Sequence, residues 1–403
     1  MQIRPILSAM ARNKTGAVLI ALQIALTMTI IVNSVSMIEQ RESLMARSSG
    51  IDEKNTFIFR YMGFADDYNE RVQTQTDLNY INSLPGVVAA TQTNSAPLTQ
   101  GGWSMSVATK PGIEVDDVGT AIYFINEKGL DSFGVKLIAG RNFTADEIIW
   151  REPGTNKWPG QVIITKALAT DLFDGDWESA LGKTIYISDT QPIKVIGIIE
   201  AMQAPWNGWG GIERSTLVPS YTEFGAGRIM VRTEPGRRDR LMTEIEEGLL
   251  SNYKGRLIRS PESMEEIRTE SYRGHNGIST ILRTLIISLI VVTALGIVGL
   301  ASFSVNRRKK QIGTRRALGA RKADIMQYFM IENFLITTGG VLLGALLTVG
   351  LNMQLVDALN ISPISWYYIP LGMLALWIIG QIAVYGPAKK ACKISPALAT
   401  RSI

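Results

Sequence analysis

The chain has one cysteine, Cys392, and one histidine, His275. A single cysteine excludes an intrachain disulfide and any cysteine-based metal cluster. A single histidine excludes a histidine-rich metal centre, and His275 sits in a polar "RGHNG" stretch that reads as a linker. Charge is scarce too: 19% of the 403 residues are Asp, Glu, Lys or Arg, against 46% hydrophobic. With a mean hydropathy of +0.11, this composition leans away from an ordinary soluble protein. Signatures of nucleotide binding and hydrolysis are missing. Gly182-Lys183-Thr184 ends like a phosphate loop, but Trp177 stands where the loop needs a glycine, and a strand-like run follows where a helix is required. The sequence contains no HExxH zinc pair and no GxSxG nucleophile elbow. Asp66-Asp67 and Asp116-Asp117 read as solvated turns, not as catalytic carboxylates.

What is present is dominated by four uncharged apolar runs: Thr15–Met37, Thr284–Val305, Phe334–Leu355 and Trp366–Gly386. Each is about 20 residues long, the length an α-helix needs to cross a hydrocarbon core of about 30 Å. The expected class is therefore an α-helical membrane domain of four transmembrane helices, one before and three after a large α+β domain. The basic N-terminal segment before the first run also fits a signal peptide, with Ser34-Val35-Ser36 as a cleavage-like site. The run exceeds the usual 7–15-residue signal core, which favours a retained helix.

Charge then orients the chain. The segments 1–14, 306–333 and 387–403 carry 15 basic residues, whereas the segment between the first two runs carries 26 basic against 33 acidic. The positive-inside rule places both termini and the 306–333 loop in the cytoplasm, with 38–283 and the short 356–365 loop outside. Eight of the sixteen residues from Arg307 to Lys322 are Lys or Arg. Topology accounts for most of that excess, and the stretch lacks the aromatic platforms or folded reader that nucleic-acid binding needs. The apolar runs carry no charge, which argues against a proton-coupled pump. Gly340 and Gly344 form a GxxxG that lets helix backbones approach, either within the subunit or across a dimer.

Within the large domain, Thr56–Tyr61 and Val87–Asn94 read as strands around a helix over 69–84, and 228–233 and 256–260 as strands around a helix over 237–253. Shorter strands are expected at 121–125, 184–188 and 193–199. The expected layout is a porter-like part at about 50–110 and 225–262, with an inserted subdomain at about 111–224. Helical ends at about 38–48 and 261–283, the second interrupted near Gly274–Gly277, form either a rigid stalk or ordinary connectors. Trp103, Trp206 and Trp209 lie among glycines and are candidate contacts for an outer partner, with packing on the domain's own surface as the plainer reading.

Several motifs together resemble the MacB/FtsX-like family of ABC transporter permeases. Ile312-Gly313 and Arg316-Ala317-Leu318-Gly319-Ala320 match its loop core, followed by Glu332 and Gly339-Gly340. Pro387-Ala388, Ala391, Pro396 and Ala397 match its closing pattern, and "LPGV", "AGRNFTADE" and "ALGKTIYI" its MacB-type core. The chain departs in carrying Gln311 where the family usually has Glu, and it begins about a dozen residues before its first helix, with no fused ATPase.

The resemblance implies a non-catalytic permease that works as a dimer, with an identical or paralogous second permease, above two copies of a separate ABC ATPase. ATP and magnesium would bind that partner, so no cofactor is expected in this chain. It further implies that Arg315, Arg316, Ala317, Leu318, Gly319, Ala320, Arg321, Lys322, Asp324 and Ile325 form a coupling helix in the ATPase groove. Mechanotransmission to the outer domain would then drive efflux of a drug, peptide or other hydrophobic molecule, with a periplasmic adaptor and an outer-membrane channel as further partners. Lipoprotein release or FtsX-like signalling is the alternative within the family, and a membrane-anchored sensor or an extracytoplasmic enzyme lies outside it.

Overall fold

A computed structural model of the chain describes residues 14–152, 154–155, 157–359 and 362–396. It divides into two units, one formed by the first 46 residues with those from Gly274 onward, the other by Arg47–Arg273.

The first unit is helical. Among the described residues, four of its helices are long and apolar enough to cross a membrane: α1 (Lys14–Met45), α7 (Arg273–Arg307), α9 (Lys322–Leu359) and α10 (Tyr368–Cys392). At 1.5 Å per residue, α1, α7 and α9 are each about 48 Å or longer, more than a bilayer core requires. α1 is the central element, and its Ile20, Ile24, Met28 and Val32 are buried with Val341 of α9 and Leu376 and Val384 of α10. The GxxxG glycines face it. A methyl on Gly340 would stand 2.8 Å from Ile24 Cβ, and one on Gly344 2.9 Å from Met28 Cβ. Those glycines thus let α9 pack closely on α1 inside the chain. Polar groups add specificity to the contact: Asn33 Nδ2 donates to the Thr348 carbonyl at 3.4 Å, and Asn352 Nδ2 to Asn33 Oδ1 at 3.2 Å. Such bonds hold helices together where lipid offers no hydrophobic drive.

The helical run expected over 261–283 is interrupted at Tyr272, two residues before Gly274–Gly277. Those glycines and the residues between them lie in the first turn of α7, where Arg41 Nη1 lies 3.4 Å from His275 Nδ1. His275 is a helical residue beside a guanidinium, not part of a linker.

The second unit contains two sheets. The smaller has the order β12-β1-β11-β2, built from β1 (Thr56–Gly63), β2 (Val87–Thr93), β11 (Ala226–Thr233) and β12 (Arg256–Ser263), with all neighbours antiparallel. α2 (Glu70–Ser83) and α5 (Arg238–Asn252) cross between its strands, giving two interlaced split β-α-β units. Phe57, Phe59 and Tyr61 alternate along β1 onto the same core as Leu241, Ile245 and Leu249, which recur every four residues along α5. Asn69 caps α2 by accepting from the Val72 amide. α6 (Met264–Ser271) opens with a capping box between Ser263 and Glu266.

The larger sheet comprises β3 (Trp103–Ala108), β4 (Val118–Ile125), β5 (Leu137–Gly140), β6 (Ile149–Arg151), β7 (Gln161–Thr165), β8 (Thr184–Ile187), β9 (Gln191–Ile199) and β10 (Ser215–Thr222). Between them lie α3 (Gly129–Phe133), before β5, and α4 (Lys166–Leu172), after β7. The order β4-β3-β8-β9-β7-β10 closes on itself because β10 also pairs with β4 in parallel. Its interior is a run of fully buried Val, Ile and Phe side chains, among them Phe124, Ile164, Ile193 and Val218. Trp103–Ala108, expected in the porter-like part at about 50–110, belongs here instead: β3 pairs with β4 and β8.

Candidate functional site: the basic turn between α7 and α9

The expected coupling helix from Arg315 to Ile325 is not one helix. α8 (Lys309–Ala317) ends, the chain turns through Leu318–Arg321, and α9 begins at Lys322. The reason is Gly319, whose φ of +97° is the left-handed conformation that ends helices. Its amide bonds the Arg316 carbonyl at 3.2 Å, and the Ala320 amide bonds the Arg315 carbonyl at 3.0 Å. These are the paired bonds of a Schellman cap. On the far side, the Arg321 amide donates to Asp324 Oδ2 at 2.8 Å, which starts α9.

The turn therefore presents Leu318 outward, 83% exposed, with Ala317 and Gly319 exposed beside it. Arg315, Arg321, Lys322 and Asp324 are exposed around it, and Ala320 is half-buried. The two remaining members of the expected set serve the fold. Ile325 is buried with Val305, Ile312, Phe329, Ala388 and Ala391. Arg316 Nη1 donates to the Cys392 carbonyl at 2.7 Å and to that of Ile394 at 3.3 Å, tying α8 to the end of α10.

The base of the turn holds an ion pair that the sequence reading passed over. Arg308 Nη1 donates to Glu332 Oε2 and to the Tyr328 hydroxyl, both at 3.0 Å, and the Arg315 guanidinium lies 5.1 Å from the Tyr328 ring centre. Glu332 is 8% exposed. A buried carboxylate needs such a partner, because an unpaired charge there would cost several kcal/mol. One signal was available: a lone acid two residues before an apolar run, 24 residues after an arginine. Gln311 is exposed and lines a small cleft with Arg308, Arg315 and Tyr328. Among the described residues, no group of three or more His, Cys, Asp or Glu side chains could hold a metal ion.

The tryptophans are partly occupied by their own domain. Trp206 and Trp209 meet edge to face at 5.9 Å and are half-buried. Trp103 stacks on Phe224 at 5.5 Å and stays 39% exposed.

Four membrane-spanning helices, one preceding and three following a two-sheet periplasmic-type domain, with a basic capped turn after the second, define an ABC-transporter permease. The MacB-like periplasmic core domain matches residues 16–247 and the FtsX-like permease C-terminal region matches 283–396, so the chain belongs to the MacB/FtsX-like permease family. It is 26% identical to the macrolide export ATP-binding/permease protein MacB of Neisseria meningitidis serogroup A, over 88% of this chain and 53% of that protein. It is 25% identical to the uncharacterized ABC transporter permease YknZ of Bacillus subtilis, over 99% of this chain and 98% of that protein. The periplasmic region of MacB from Actinobacillus actinomycetemcomitans aligns at 16% identity and a TM-score of 0.34, covering 57% of this chain and 97% of that one. The chain thus spans about half the length of the MacB proteins it matches.

Proposed function

We propose that the chain is the permease subunit of an ABC exporter, and that a separate ATPase docks on the Leu318 turn. The observation that carries this reading is the outward, 83% exposed Leu318 on a turn pinned from both sides. An exposed apolar knob within a ring of arginines suits a partner groove with an apolar floor and an acidic rim. The MacB relatives are named ATP-binding/permease proteins and the YknZ relative a permease. In this reading ATP and magnesium bind the partner ATPase, in two copies, under a permease dimer.

In this reading the turn and both termini face the cytoplasm, in keeping with the basic bias of those segments. Closure of the ATPase pair moves α1 and α7, and that motion works the periplasmic-type domain. The exported substrate is a drug, peptide or other hydrophobic molecule, and a periplasmic adaptor with an outer-membrane channel completes the path. The test is co-purification with the ABC ATPase encoded in the same genome. Leu318→Asp should abolish it while leaving the melting temperature of the solubilised permease unchanged. Full retention of the ATPase by Leu318→Asp would refute the docking assignment.

A further inference from the structure

The small sheet of the large domain carries a row of like charges. Arg60 on β1 stands directly opposite Arg228 on β11 and Arg259 on β12. Side chains paired in this way share one face and start about 5 Å apart, so like charges there repel one another. Among the described residues, one carboxylate reaches the row: Glu262, 2.8 Å from Arg60. Arg228 gives Nη1 to the Asn94 carbonyl, while its Nε and that of Arg60 are buried without a hydrogen-bond acceptor. Arg259 is exposed and has no ion-pair partner among the described residues. Burial, then the neighbouring Arg60, lowers the Arg228 guanidinium from its ordinary value, the sign of cations held closer than their surroundings favour.

The row lines a groove of about 660 Å³. Its other wall is apolar: Met62 and Leu257, also paired across the strands, and Trp103 stacked on Phe224. All four of these side chains are exposed, and no acidic residue is among those that line the groove. A small inorganic anion would leave the apolar wall wet, and a neutral lipid would leave the guanidinium row unanswered. A ligand with one acidic end and one hydrocarbon chain satisfies both walls, and the volume lies in the range of small-molecule sites.

We propose that this groove binds a single-chain amphiphile with an anionic head, the head on Arg60, Arg228 and Arg259 and the chain along Met62, Leu257 and Trp103. Binding needs no ATPase, so this site and the docking reading above stand or fall separately.

The experiment uses the full-length protein in phosphatidylcholine nanodiscs with a diazirine-bearing dodecanoate. After photolysis, mass spectrometry locates the adducts. Adducts are expected on the peptides carrying Met62, Phe224 and Leu257. A diazirine-bearing dodecanol should label these peptides at least tenfold less. Arg259→Glu, a change at an exposed position that leaves the fold intact, should cut dodecanoate labelling at least fivefold, and Arg259→Lys should retain at least half. Equal labelling by the alcohol, labelling unchanged in Arg259→Glu, or adducts confined to the membrane helices would each overturn the proposal.

Discussion

Asp77 and Arg256 form, among the described residues, the most deeply buried ion pair of the large domain, with both side chains 1% exposed. Arg256 Nη2 donates to Asp77 Oδ1 at 2.9 Å and to the Leu249 carbonyl at 3.1 Å, so the guanidinium joins α2, α5 and β12. Removing one partner leaves a charge in the core, which typically costs about 3–5 kcal/mol. Asp77→Ala is accordingly expected to lower the melting temperature of the solubilised protein sharply; a shift of a degree or less would mean that the pair carries no such weight. Glu70 is a second buried acid. Its Oε1 accepts from the Tyr61 hydroxyl at 2.9 Å and its Oε2 from the Gly225 amide at 2.6 Å, yet burial raises its pKa above the ordinary glutamate value. A carboxyl raised in the folded state binds its proton more tightly there than in the unfolded chain. Its contribution is therefore complete below about pH 4.3, the unfolded value, and is lost as pH climbs through the higher folded value. Glu70→Gln should flatten that fall in melting temperature, and an unaltered pH profile would show that Glu70 is not its source. Neither acid was legible in the sequence. Asp77 meets its partner 179 residues away, through a sheet register that no local pattern encodes. The Leu318 motif, by contrast, is contiguous, so the sequence alone singles it out.

At the scale of elements, the regular patterns told most. The strand–helix–strand sets at 56–94 and 228–260 occur close to where alternation and four-residue spacing place them. The closed ring of the larger sheet did not show. Closure depends on β4 pairing with β10, whose first strand partners, Ala121 and Ser215, are far apart in sequence. The break between α8 and α9 was equally hidden, since Arg315–Ile325 reads as one helix unless Gly319 is taken as a left-handed cap. Helix packing in the membrane offers a paired test. A side chain at Gly344 would enter α1, 2.9 Å from Met28 Cβ, whereas one at Gly339 meets nothing within 4 Å. Gly344→Leu should lower the melting temperature in detergent by several degrees, and Gly339→Leu should leave it near that of the unsubstituted protein. Equal effects would contradict the assigned α1–α9 contact.

For the whole molecule, four uncharged runs and the loop motif carried the class, because membrane spans follow from length and hydropathy alone. The docking role of the Leu318 turn is the central proposal. It is tested most directly by placing photoreactive benzoylphenylalanine at Leu318 and, as a control, at Ile113, an 86% exposed residue of the large domain. Each protein is co-expressed with the ABC ATPase of the same genome and irradiated. The account predicts a covalent adduct with the ATPase from position 318 and none from position 113. No adduct from 318, or equal adducts from both, would contradict it.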